Sequence, residues 1–193
     1  MSGDHFALSQ LKILCIKLLY TELRYLINEE IFMPNWCNNL FTVEGAKDQI
    51  DIFEKFLEIN NGKNWFNFFS PIPLSEQEGE RWYGWAVENW GCKWNCDAQD
   101  WTRDENKISF WFDSPWAPPI QLYYKIRDLG YTVNAEYCEH GVGFVGEFVD
   151  GVHEHYEYED EDDLDFIPEH LIENWNLRDD FEKWEDDDDD YQW

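Results

Sequence analysis

A glutamate, an asparagine, a lysine and a tryptophan stand within seven positions at Glu88, Asn89, Lys93 and Trp94, and a sheet could bring Asp113 and Glu139 to them. A Glu beside a Lys supplies a general base and a charge for an oxyanion. The same group could hold a nucleotide through an indole face and a hydrogen-bonding amide. No nucleophile–base–orienter pattern accompanies these residues, and no glycine-rich loop offers the clustered N–H groups that cradle phosphate. The plainer reading is a buried ion pair and amide network that fixes a tryptophan-rich core, and it is the favoured one, because buried charges come paired. No catalytic residue is assigned.

Metal chemistry is the next possibility. Zinc needs four converging ligands, and Cys92 and Cys96 form one loose pair, with Cys37, Cys138 and His140 elsewhere. On a strand, residues four apart share a face but lie about 13 Å apart, too far for one ion. His153 and His155 sit among carboxylates without the spacing of a calcium loop. The sequence thus predicts neither a metal nor a cofactor.

Charge points to a partner instead. Residues 152–193 hold 19 Asp or Glu against Arg178 and Lys183, about −17 of the formal −28, and close on an acidic run. Like charges repel and resist compaction unless something basic meets them. Large apolar residues, among them Tyr158, Phe166, Leu171 and Ile172, punctuate the acid. The expected binding set is Asp186, Asp187, Asp188, Asp189 and Asp190 for steering, with Trp175, Trp184 and Trp193 as anchors. The remaining residues carry 23 acids against 12 bases. That balance argues against direct binding to nucleic-acid phosphates or anionic membranes.

Five cysteines, an odd count without a dense framework, fit a reducing cytoplasm. The apolar stretch Ile13–Tyr20 is broken by Lys17 and has no small-residue cleavage site, and no run reaches the ~18 apolar residues of a membrane span. Aromatic residues make up 19% of the chain, far above a disordered composition. Twelve tryptophans, including Trp85, Trp90, Trp94, Trp101, Trp111 and Trp116, serve first as core.

The elements that must position these residues follow from periodicity. Phe6–Ile31 reads as an amphipathic helix closed by Pro34. Asn38–Glu44 reads as a strand and Lys47–Asn60 as a helix stopped at Asn60, Asn61 and Gly62. Asn64–Phe69 reads as a short strand or extended loop, and Glu80–Trp90 as a helix. Two strands, Lys93–Thr102 and Lys107–Asp113, flank a polar turn, with Ile108, Phe110 and Phe112 on one face. A helix from Pro119 to Leu129 precedes strands Tyr131–Tyr137 and Val142–Val149. The order β, α, β, β, α, β plus one strand predicts an α+β fold, a ferredoxin-like split βαβ sandwich with an antiparallel sheet, an added N-terminal helix and an acidic C-terminal tail. The expected divisions are residues 1–32, a helix that could mediate a homodimer, residues 33–151, the sandwich, and residues 152–193, the tail.

Four stretches carry a resemblance. Met33–Asn39, the group Trp82, Tyr83, Trp85, Glu88–Gly91 and Lys93–Asn95, the turn Phe112–Pro119, and Glu139–Glu147 together resemble the YubB-like proteins of plasmids and phages. That resemblance implies a ferredoxin-like domain and a mobile-element origin, with no assigned activity. It also implies a start near Met33, which makes the first 32 residues and the tail additions.

These readings lead to a non-enzymatic cytoplasmic protein of a phage or plasmid. Its acidic surface would engage a basic site on a host nucleic-acid-binding or defence protein, in the strongest form as a nucleic-acid mimic. The alternative is a nucleotide-signal pocket at Glu88, Asn89, Lys93, Trp94, Asp113 and Glu139.

Overall fold

Alternation of buried and exposed side chains along Trp36–Glu44 makes it a strand, β1, with Cys37, Asn39, Phe41 and Val43 turned to one face. A computed structural model of the protein describes residues 34–185, with side chains as far as Phe181. The expected N-terminal helix, Asp186 through Asp190, Trp193 and the Trp184 side chain lie outside the described residues. From Asn35 onward the described residues form one unit.

Helix α1 spans Lys47–Asn60 as its periodicity predicts, burying Ile50, Phe53 and Leu57. Gln49 Oε1 accepts the Ala46 N–H at 3.0 Å, and Asn61 closes the helix in the left-handed conformation at φ 52°. Phe66–Phe69 is a short helix, α2, rather than a strand. The consecutive residues Trp65 and Phe66 are both fully buried, which a half-exposed strand does not allow. Helix α3 follows at Arg81–Trp90 and α4 at Ile120–Asp128.

The remaining strands are β2 (Gln99–Asp104), β3 (Lys107–Pro115), β4 (Thr132–Glu139), β5 (Phe144–Val149) and β6 (Val152–Glu157). They form one six-stranded sheet in the order β2-β3-β1-β4-β5-β6, and every neighbouring pair is antiparallel. The fold is therefore mixed α+β. Its first face carries Phe41, Val43, Ile108, Phe110, Phe112, Val133, Ala135 and Phe148 into a core with helices α1 to α4. Phe41 lies at the middle of that core, with ring centroids of Trp65, Phe110 and Tyr123 at 4.9, 5.1 and 5.3 Å. Offset and edge contacts of this kind add to the burial of large rings.

Two expectations are corrected here. The strand predicted over Lys93–Thr102 begins only at Gln99, because the preceding segment is bonded to the loop after α1 instead of to β3. Ala98 N–H donates to Gly62 O at 2.8 Å and Trp65 N–H to Cys96 O at 3.2 Å, while Asn95 Oδ1 accepts from Phe66 N–H. Gly62 is required there: a Cβ would stand 2.3 Å from Ala98 O.

The second correction concerns the acidic tail. The expected boundary at residue 151 falls in the turn between β5 and β6, which pair from Val149–Val152 to Phe144–Glu157. Beyond β6, a 3₁₀ turn (Glu161–Phe166), helix α5 (Glu169–Trp175) and helix α6 (Arg178–Glu185) form a layer on the second face of the sheet. Tyr158, Leu164, Ile167, Leu171, Ile172, Trp175 and Leu177 pack there on Cys138 and Val145. The apolar punctuation of the acid is thus a second core. Among the described residues, no helix is long and apolar enough to cross a membrane.

Candidate functional site

The residues expected to share a pocket are dispersed by the fold. Glu88 and Asn89 lie on α3, where Glu88 is exposed and Asn89 bonds to the Lys125 ammonium from α4 and to Trp85 O. The same ammonium is 5.4 Å from the centroid of the Trp85 ring. Burial holds Lys125 below its usual range against the opposing pull of Glu88. Glu139 is buried, and its two carboxylate oxygens accept the N–H groups of Gly141 and Val142 at 3.0 and 2.5 Å. That buried carboxylate shapes the β4–β5 turn.

Lys93 and Trp94 belong to the segment between α3 and β2. The Lys93 ammonium lies 4.5 Å from the Trp94 centroid and 5.5 Å from both Tyr83 and Trp116. Three rings around one cation use the negative faces of their π systems. Lys93 is held by aromatic groups rather than by a carboxylate.

Asp113, on β3, points to the second face of the sheet. It accepts Asn38 Nδ2–H on Oδ1 at 2.8 Å and Gln99 Nε2–H on Oδ2 at 3.4 Å. A cleft of about 510 Å³ opens beside it, lined by Trp36, Asn38, Asn95, Asp97, Gln99 and Asp113. Of the expected pocket residues, Asp113 is the one that lines it. The signal for Asn38 was present in the sequence as the in-register partner of Asp113, but register is set by pairing and not by composition.

Cys92 and Cys96 lie in this irregular segment rather than on a strand, and both thiols approach Trp94 O, at 3.4 and 3.6 Å. Strand spacing therefore does not separate them. Burial, and then Cys92, raise the Cys96 thiol well above its ordinary value. Among the described residues, no group of three His, Cys, Asp or Glu is placed to hold a metal ion.

A hydrogen-bond chain that the sequence did not disclose joins residues 42 positions apart. Cys138 Sγ lies 3.5 Å from His140 Nε2, and His140 Nδ1 lies 2.5 Å from Asp180 Oδ2 on α6. Tyr158 Oη adjoins both Cys138 Sγ and Asp180. The order is that of a nucleophile, base and orienter. The thiol, however, has no exposed surface, and burial pushes it up to about 12 against the hydrogen bond from Tyr158. A protonated, enclosed thiol is no nucleophile. The chain clasps α6 to the end of β4.

His153 and His155 share the opposite face of β6, where Nε2 and Nδ1 reach Tyr137 Oη at 2.7 and 3.0 Å. Burial, then the neighbouring His155, hold His153 below its usual range. These rings serve the Tyr137 hydroxyl rather than a loose cation.

The C-terminal layer is the strongest candidate surface. With its apolar side chains turned inward, Glu159, Asp160, Glu161, Asp162, Asp165, Glu169 and Glu173 are left exposed. Asp160 Oδ1 accepts Asp163 N–H at 3.2 Å while the Asp163 carboxylate accepts Glu159 N–H at 2.8 Å, so the acidic turn is internally fastened. Trp175, expected as a free anchor, is instead buried, with its ring 5.7 Å from that of Trp111. Phe166 takes the opposite role at 81% exposure, projecting from the acidic turn. Alternation could have suggested it, since Leu164 and Ile167 flank it as core residues.

No family model matches the chain, and no curated protein matches it. Among solved structures, it is similar to the crystal structure of a protein api92 from Yersinia pseudotuberculosis, described with the family model DUF1281. That likeness has 11% identity and a TM-score of 0.45, covering 66% of this chain and 99% of the other.

Proposed function

We propose that the protein is a binding protein that engages a basic site on a host protein through its acidic surface, as a nucleic-acid mimic that blocks a defence or DNA-binding protein. The reading rests on one observation: the C-terminal layer buries its apolar residues on the sheet and thereby holds its carboxylates outward in fixed positions around an exposed phenylalanine. A freely moving polyanion would lose conformational entropy on docking, whereas a preorganised one has already lost it. Carboxylates steer the encounter with a cationic surface. Phe166 supplies the apolar contact that such an interface needs at its centre.

The same proposal takes the sheet as a ferredoxin-like split βαβ sandwich of the YubB-like kind, carried by a phage or plasmid and acting in the host cytoplasm. Its support is the order β2-β3-β1-β4 with antiparallel pairing throughout, and helices between β1 and β2 and between β3 and β4. Strands β5 and β6 extend that pattern at one edge. The nucleotide-pocket alternative has less support, because Asn89, Lys93 and Glu139 have separate neighbours and Asp113 alone of its residues lines the cleft.

The test is affinity capture with the full chain from host extract, at about 50 mM and about 500 mM salt, which shortens the screening length several-fold. The wild type is expected to retain a nucleic-acid-binding protein at low salt and release it at high salt, with duplex DNA competing. The paired change Asp162→Lys and Asp165→Lys should abolish retention. Retention that ignores salt, DNA and both reversals refutes the proposal.

A further inference from the structure

The geometry points to the cleft at Asp113 as a binding site for an arginine side chain of a basic protein. This goes beyond the acidic layer, and stands whether or not that layer has a partner.

The hydrogen-bond polarity of the cleft carries the argument. Asn38 and Gln99 each give one amide N–H to Asp113. Their carbonyl oxygens, Asn38 Oδ1 and Gln99 Oε1, accept no hydrogen bond among the described residues. Asp97 accepts Asn64 N–H on Oδ1 at 3.0 Å and keeps Oδ2 free of described partners. Asp113 uses one lone pair on each oxygen, and a carboxylate has about four acceptor sites. Asn95 spends its Oδ1 on Phe66 and Cys96 N–H, and its Nδ2 is occluded from solvent. Free acceptor sites in the cleft therefore outnumber its free donors, which are the second N–H of each amide and the Trp36 indole N–H.

Two further features narrow the ligand. Among the described residues no Lys or Arg lines the cleft, and neither Asp97 nor Asp113 has an ion-pair partner. Lys93, two positions before Asn95, is held in its ring cage. Trp36 lines the cleft with 47% of its surface exposed. A negative, acceptor-rich cleft with an indole wall repels phosphates and suits a planar cation with many donors. Guanidinium has five N–H donors in a flat fork and stacks on aromatic faces, whereas an ammonium offers three donors on a compact, strongly hydrated centre.

The experiment titrates the full chain with N-acetyl-arginine amide, following the Trp36 indole and the Asn38 and Gln99 side-chain amide signals by two-dimensional NMR. The matching lysine and citrulline amides serve as controls for charge without the fork and for the fork without charge. Saturable shifts at these three groups are expected with arginine, at least about threefold weaker with lysine and absent with citrulline. Asp113→Asn should weaken arginine binding about tenfold, the size of one charge-assisted hydrogen bond. Gln99→Lys, at an exposed position, should fill the cleft with an internal cation and abolish the shifts without disturbing the core. Phe166→Ala should leave them unchanged, which separates this site from the acidic layer. Equal responses to arginine and lysine, shifts spread over the C-terminal layer, or shifts that survive Gln99→Lys would overturn the assignment.

Discussion

Leu171→Ala changes no charge yet removes a fully buried side chain from the cluster that fastens the C-terminal layer to the sheet. Leucine truncation at such a site costs about 3 kcal/mol, within the 2–5 kcal/mol range set by lost transfer energy and the residual cavity. The buried apolar contact of the layer with the sheet centres on one cluster of nine residues, so the loss falls first on its local opening. A 3 kcal/mol change raises the open population roughly a hundredfold. Amide hydrogen exchange should therefore accelerate by about that factor in α5, with α1 amides slowed or quickened far less. Because net charge is constant, the variant also separates organised charge from charge alone. If fixed carboxylates matter, capture of the basic partner falls along with layer protection. The control is Phe166→Ala, at an exposed position, which should change stability by less than about 0.5 kcal/mol while weakening capture about tenfold. A loss below about 1 kcal/mol for Leu171→Ala, with α5 exchange unaltered, refutes the packing argument. Undiminished capture by a variant with an open layer refutes the functional one.

Gly146→Ala places a Cβ 2.3 Å from Tyr137 Oη and 2.4 Å from Glu154 O. It should lower the melting temperature through overpacking of about 1–3 kcal/mol and displace His153 and His155 from Tyr137, visible as shifted imidazole signals. Alkaline pH should also destabilise the fold: burial raises Cys138 to about 12 from an ordinary 9.0 and raises Cys37, Cys96 and Tyr123 likewise. The unfolded chain releases these protons first, so stability is full below about pH 9 and falls as pH rises toward 12, read as a declining urea midpoint. A midpoint flat across that window would contradict the burial of these groups.

Local chemistry determined much of this fold. The apolar spacing of Ile50, Phe53 and Leu57 defined α1 to the residue, and the alternation of Ile108, Phe110 and Phe112 assigned a buried face correctly. Such signals lie within a few residues of one another, where helix and strand periods act directly on side-chain direction. Tertiary structure decided the rest, because it concerns which distant groups meet. Residues 93–98, read as the start of a strand, are instead drawn to the loop after Gly62 by Asp97 and Asn95, across roughly thirty positions. The acidic C-terminal segment reads as self-repelling until a sheet face receives its apolar residues, and only then do Trp175 and Phe166 exchange the roles their sizes suggest. Likewise Asp113 becomes part of a cleft through its register with Asn38, while Glu139 and Lys93 are drawn away by a turn and a ring cage. A residue's type sets what it can bind; long-range packing sets which groups are left to be bound.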